Sequence, residues 1–175
     1  MTDSNVIQSS TSADLAAILD LYRAVAAHPG GLAREADEVS LEYVQGFVSD
    51  ALATGFSLVA RTAAGDIIGE IHTAALGPRV FAHVLGDLTI AVHPDWQGKG
   101  IGRQLFTTLL DRVRTQRPDV LRVELITRES NAKARDFYTS LGFREEGRLH
   151  GRIRSVGGGF EADVMMGWQR NPQHD

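Results

Sequence analysis

The sequence of 175 residues contains no cysteine. Disulfides, zinc–cysteine centres, iron–sulfur clusters and a cysteine nucleophile are thereby excluded, and a cytoplasmic location is compatible with the absence. No run approaches the ~18 consecutive apolar residues that a membrane-spanning helix needs. The start, Met1-Thr2-Asp3-Ser4-Asn5, carries no basic residue ahead of an apolar stretch and does not read as a secretory signal. Positive charge is not in excess. The 18 Lys and Arg face 22 Asp and Glu, a formal net charge of −4, which argues against a general nucleic-acid coat. The six histidines show no metal-ligand spacing, so no metal is expected. Linkers, fixed-period repeats and low-complexity tracts are also lacking, and Gly157-Gly158-Gly159 reads as a turn.

What is present is ordinary for one folded domain. Hydrophobic residues make up 43% and charged residues 23%, enough to bury a core. Residues 1–170 read as a single domain and 171–175 as a frayed polar tail.

Val6–Ser9 reads as a short edge strand. A helix is expected over Ala13–Ala27, capped by Thr11 or Ser12, with Leu15, Ile18, Leu19, Tyr22 and Val25 on one face. Ser40 opens a second helix with Leu41, Val44, Phe47, Val48 and Leu52 on its apolar side. Phe56–Thr62 and Ile67–Ala75 are strands joined at Ala64-Gly65-Asp66, and a long strand runs from His83 to Val92. Proline at 94 stops it. Leu105, Leu109, Leu110 and Val113 form the buried stripe of the next helix. Leu121–Thr127 is a strand, Ser130 or Asn131 caps a helix to Ser140, and Phe143–Ile153 and Phe160–Trp168 are the last strands. The order β-α-α-β-β-β-α-β-α-β-β implies an α/β (α+β) fold, one mixed sheet with helices on its faces.

The most informative stretch is Leu88-Thr-Ile-Ala-Val-His-Pro-Asp-Trp-Gln-Gly-Lys-Gly-Ile-Gly-Arg103. Glycines at 98, 100 and 102 leave backbone N–H groups uncovered at the start of a helix, where ~+0.5 of an elementary charge sits. Such geometry binds phosphate or pyrophosphate. A P-loop needs Ser or Thr after Gly98-Lys99, and Gly100 stands there. A dinucleotide fingerprint would need its third glycine at Arg103 or Leu105. Both patterns fail.

A second stretch, Asn131-Ala-Lys-Ala-Arg-Asp-Phe-Tyr138, leads into Leu141-Gly142-Phe143. Together the two stretches strongly resemble the GNAT superfamily of N-acetyltransferases. The family loop Gln/Arg-x-x-Gly-x-Gly/Ala is met by Gln97, Gly100 and Gly102. The signature Asn-x-x-Ala-x-x-x-Tyr-x-x-x-Gly-Phe is met by Asn131, Ala134, Tyr138, Gly142 and Phe143. The C-terminal half looks most like the branch acetylating free amino acids and similar small amines. The resemblance implies a mostly antiparallel sheet of about seven strands, helices on both faces, and a splayed parallel strand pair. It also implies acetyl-CoA as acyl donor, with no nucleic-acid or membrane partner.

On the same resemblance, Ile90, Ala91 and Val92 would offer backbone groups to the acetyl carbonyl and pantetheine. Gln97, Gly98, Lys99, Gly100, Ile101, Gly102 and Arg103 would hold the pyrophosphate. Asn131 would contact the donor while capping its helix. Tyr138 would protonate the leaving thiolate. The base would come from Asp87, Glu124, His83, Glu70 or His72, with Asp87 preferred because an acid is odd in Gly-Asp-Leu-Thr-Ile-Ala-Val. Arg34, Arg148 or Arg152 would bind a substrate carboxylate. The apolar Val164-Met-Met-Gly-Trp168 strand would pair across a two-fold axis in a homodimer, or sit in an internal hairpin. Two other readings stand beside a small-molecule enzyme: a protein N-terminal or ribosomal-protein acetyltransferase, and a non-catalytic acyl-CoA-binding module.

Overall fold

A computed structural model describes residues 5–28, 30–155 and 158–170. Met1–Ser4, Pro29, Gly157 and the 171–175 tail lie outside the described residues, so the expected turn is seen only at Gly158 and Gly159. The elements are β1 (Val6–Ser9), α1 (Leu15–Ala26), α2 (Leu41–Thr54), β2 (Phe56–Arg61), β3 (Ile67–Ala75), β4 (Val84–Val92), α3 (Ile101–Gln116), β5 (Arg122–Arg128), α4 (Ala132–Ser140), β6 (Arg144–Arg154) and β7 (Phe160–Gln169). Their order is the one expected from sequence.

The strands form one seven-stranded sheet in the order β1-β2-β3-β4-β5-β7-β6. Every neighbouring pair is antiparallel except β4 and β5. One face packs on α1 and α2 through Ile18, Tyr22, Val25, Val44 and Val48, with Val59 and Ala91 from the sheet. The other packs on α3, where Leu105, Phe106, Leu109 and Val113 meet Leu58, Ile71, Leu85 and Val123. Burial on both faces accounts for the near-continuous apolar runs of the central strands.

Local chemistry sets the helix starts. The Ser40 hydroxyl accepts from the Tyr43 N–H at 3.1 Å, and the Asn131 side chain accepts from the Ala134 N–H at 3.1 Å. Each satisfies one donor of a first helical turn. The first helix begins later than expected, because Ser12–Asp14 forms a tighter 3₁₀ turn. There Asp14 accepts from the Thr11 N–H and hydroxyl and pairs with Arg61.

Two expectations are corrected. Leu41 and Leu52 of α2 are exposed, and the buried residues are Val44, Val48 and Ala51. An interior stripe at 44, 48 and 51 leaves 41 and 52 at its margins. The Val164–Trp168 strand is not an edge. It lies in β7 between β5 and β6, with Val164, Met166 and Trp168 buried, so the internal hairpin is what forms. The edges of the sheet are β1 and β6, and β6 is exposed along nearly its whole length.

Candidate active site

The parallel strands β4 and β5 pair only at Val84↔Arg122 and Leu85↔Val123. Beyond Leu85, β4 keeps β3 as a partner on one side, and its other side opens toward β5. This is the expected splay, and it leaves main-chain groups of β4 available to a ligand. Two cavities occupy the opening and share Arg34, Tyr43, Asp87, Leu88, Thr89 and Ile126 as walls. The one beside α4, about 490 Å³, is lined by Ile90, Asn131 and Tyr138. The other, about 590 Å³, extends under α2 to Phe47, His72 and Glu124.

The glycine loop sits at the end of β4. Gln97 donates from Nε2 to the Val92 carbonyl at 3.1 Å and so ties the loop to the strand. Gly98 and Gly100 have φ of +74° and +84°, and Gly100 is the residue from which α3 starts. That left-handed backbone is open to glycine at little cost. A Cβ at either position would meet nothing within 4 Å, so no neighbouring side chain or backbone crowds these glycines on that side. The loop therefore fits a pyrophosphate at a helix N-terminus. Lys99 lies over the Trp96 ring at 4.6 Å. Arg103 is anchored on α4, donating to the Ser140 hydroxyl at 2.9 Å and lying 5.5 Å from the Phe137 ring centre.

Tyr138 projects from α4 among the rings of Phe106, Phe137 and Phe143, with centroids 5.4, 5.6 and 6.3 Å away. Burial pushes its phenol up to about 12, because a phenolate is poorly solvated there. It is held neutral and able to donate.

Asp87 is not a buried strand acid. Ala74 pairs with Gly86 and His72 with Thr89, so β4 carries one extra residue against Thr73. At this bulge Asp87 has φ +51° and is exposed, on the wall shared by both cavities. Bulges commonly re-aim a side chain at a functional site. Glu124 is half-buried and paired to the Arg122 Nε at 2.6 Å. His83 is exposed just ahead of β4 and lines neither cavity. Among the candidate arginines, Arg148 pairs with Glu145 and Glu129, and Arg152 with Asp163 at 3.3 Å. Arg152 also lines the cavity beside α4, and Arg34 lies on the wall shared by both cavities, 4.0 Å above the Tyr43 ring centre.

Glu70 and His72 alternate on β3 and so face the same helices. Glu70 is fully buried and accepts from the Tyr22 hydroxyl at 2.6 Å and the Ser57 hydroxyl at 2.9 Å. His72 places Nδ1 3.1 Å from the same carboxylate and stacks on Phe47 at 4.0 Å. Tyr22 was legible only as a residue of an apolar helical stripe. The signal available was the Glu-x-His alternation in an otherwise apolar strand. Among the described residues no group of three or more His, Asp or Glu side chains could hold a metal ion. No described helix is long and apolar enough to cross a membrane.

A family model described as the acetyltransferase (GNAT) domain matches residues 53–145, and the chain belongs to that family. It is 46% identical over 56 residues to the ribosomal protein bS18 alanine N-acetyltransferase of Salmonella typhimurium. That match covers 32% of this chain and 36% of the relative, so the chain spans about a third of the curated relative's length. Among solved structures it is similar to a ribosomal-protein-alanine N-acetyltransferase from Brucella melitensis, with a TM-score of 0.80 and 27% identity over 94% of this chain and 99% of the other. A phosphinothricin acetyltransferase from Sinorhizobium meliloti, solved with acetyl-CoA, shares the fold with a TM-score of 0.82 at 20% identity, over 94% and 88% of the two chains.

Proposed function

We propose that the protein is an acetyl-CoA-dependent N-acetyltransferase acting on a primary amine of small-molecule size, such as an amino acid. The observation that carries this reading is the forked cleft. A clear glycine loop lies at one end, a neutral, half-buried phenol in one arm, and a walled cavity of about 590 Å³ in the other. The acyl donor would lie along Ile90–Val92 with its pyrophosphate on residues 98–103, and Asn131 beside it. When bound, acetyl-CoA supplies an activated acyl carbon and a thiolate leaving group. Tyr138 directs its O–H at the leaving sulfur, and a main-chain N–H near Val92 faces the carbonyl oxygen as it gains charge. Asp87 meets the acceptor's ammonium at the rim, where the ammonium's proton leaves directly or through water. A cytoplasmic location and a homodimer covering the exposed β6 belong to the same proposal.

A second reading, acetylation of a ribosomal-protein N-terminus, is favoured by the ribosomal-protein acetyltransferases among the similar proteins. The deciding experiment measures thiol release from acetyl-CoA over amino acids, polyamines, aminoglycosides and N-terminal peptides. Turnover with a free amino acid and none with peptides supports the first reading, and the reverse supports the second. Donor binding without turnover on any acceptor marks an acyl-CoA-binding module.

A further inference from the structure

The cluster behind the acceptor cavity contains more chemistry than packing requires. The Tyr22 proton is committed to Glu70 by the 2.6 Å contact. Burial and the facing carboxylate push that phenol well above its usual range, so the proton stays on oxygen. His72 Nδ1 lies 3.1 Å from Glu70 Oε2 and 3.3 Å from the Tyr22 oxygen. Since the Tyr22 proton points to Glu70, Nδ1 has only acceptors in front of it and must be the protonated nitrogen. In its neutral form the ring has its lone pair on Nε2, across the ring from Glu70. His72 lines the acceptor cavity, so Nε2 is the nitrogen left for it.

We propose that His72 is the proton acceptor for the incoming amine, with Glu70 and Tyr22 as positioning residues that fix its tautomer and ring plane. This rests on the acetyl-transfer reading above and adds the destination of the proton. Asp87 holds the ammonium at the rim, and Nε2 takes one N–H proton, leaving the nitrogen lone pair free. The N–C bond forms at the acyl carbon and the C–S bond breaks, with its electron pair going to sulfur. Sulfur takes a proton through Tyr138, the second N–H proton of the former ammonium replaces it through solvent, and the proton on Nε2 is released to solvent, restoring the base. An imidazole nitrogen lone pair at the cavity wall is a common general base. The charged or titratable groups around His72 are Glu70 on β3, Tyr22 on α1, Tyr43 on α2, Asp87 on β4, Glu124 on β5 and Arg34 in the loop before α2.

The test compares His72→Gln, Glu70→Gln and Asp87→Asn with the parent across pH 6 to 10, on the best acceptor from the screen. For His72→Gln, kcat/KM should fall ~10²–10⁴-fold near neutrality. The loss should shrink toward pH 10, where the amine deprotonates unaided, while the acetyl-CoA Kd stays unchanged. Glu70→Gln should lose less and keep the same pH dependence. Asp87→Asn should act mainly on the acceptor KM. A His72→Gln loss that is constant with pH overturns the proposal, as does a pH-dependent loss in Asp87→Asn alone. Should no acceptor turn over, nitrogen-15 spectra of the imidazoles still decide, with His72→Gln identifying the signal. Protonated Nδ1 with bare Nε2 is expected, and the opposite tautomer overturns the assignment independently of the acetyl-transfer reading.

Discussion

Replacing Tyr138 by Phe removes one oxygen and leaves the ring. The contacts to Phe106, Phe137 and Phe143 at 5.4, 5.6 and 6.3 Å are those of the ring, and they survive. Burial alone raises the phenol, with no hydrogen-bonded or charged partner contributing, so the variant creates no orphaned group. Stability should change by less than ~1 kcal/mol, and Tm by no more than about 4 °C for a chain of this size. Catalysis should respond differently. A positioned acid contributes ~10²–10⁴ in rate. A phenol held at about 12 faces a thiolate whose conjugate acid is ordinarily near ~8.5, so complete transfer in the ground state is uphill by roughly 5 kcal/mol. The phenol therefore stabilises developing charge on sulfur mainly by donating a hydrogen bond, and the low end, ~10² or about 2.7 kcal/mol, is expected. The loss should appear in kcat and kcat/KM together. The same shift predicts no alkaline loss from this group below about pH 11. Thiol release under acetyl-CoA saturation measures the first quantity, and a pH profile of the parent measures the second. A folded Tyr138→Phe variant with parental kcat would falsify the assignment and return Tyr138 to packing.

Acetyl-CoA at ~100 times Kd should stabilise the fold by ~2.7 kcal/mol, raising Tm by roughly 5–10 °C, whereas NAD and ATP should not; stabilisation by ATP alone would contradict the loop reading. Gly100→Val should weaken acetyl-CoA binding strongly with the fold intact, because φ +84° disfavours a branched side chain and the N–H groups become covered. Gly102→Ala is the control, since its Cβ meets Ile90, Val92 and Phe137 at ordinary distances of 3.7–3.9 Å; calorimetric Kd values and circular dichroism read both, and unchanged affinity in Gly100→Val would leave the loop a mere turn. Light scattering should give twice the 19.0 kDa of the chain, and a single-chain mass at micromolar concentration rejects the dimer.

Element type and order were legible because each central element carries a consistent signal. The alternation and β-branching around Ile67–Ala75 mark a strand, and the leucines of 105–113 mark a helix face. The glycine loop and Tyr138 stand out in the sequence because their patterns are local and match a family signature: three glycines at alternate positions, and a tyrosine two turns from its helix cap. The cavity wall was not, since it is assembled from separate elements. Tyr22 reads as one more apolar stripe residue until β3 is laid beside it. Strand pairing also decides the place of Val164–Trp168, whose apolar pattern is equally that of an edge strand awaiting a partner and of an interior one.

Asp87 shows how a single inserted residue turns a structural conflict into a cleft. Along a regular strand, residues two apart share a face, and Asp87 would follow Leu85 into the core against α3. There its carboxylate would lie among Leu109, Val113 and Val123 with no partner, a placement costing several kcal/mol. The extra residue opposite Thr73 shifts the alternation by one. Leu88 rather than Asp87 then joins Leu85 in that core, and both are buried there. The Thr73 hydroxyl donates to the Gly86 carbonyl at 2.7 Å, satisfying an acceptor at the bulge itself. Bulging bends a strand and strengthens its local twist, and β4 leaves β5 within one residue of this point, after the Leu85↔Val123 pair. The irregularity that keeps the acid out of the core thus coincides with the opening of the fork. Deleting Asp87 should therefore do more than remove a charge: it should restore the regular alternation, move β4 toward β5 and abolish acetyl-CoA binding, whereas Asp87→Asn should leave donor affinity intact. Equal donor affinity in the two variants would break the connection between bulge and cleft.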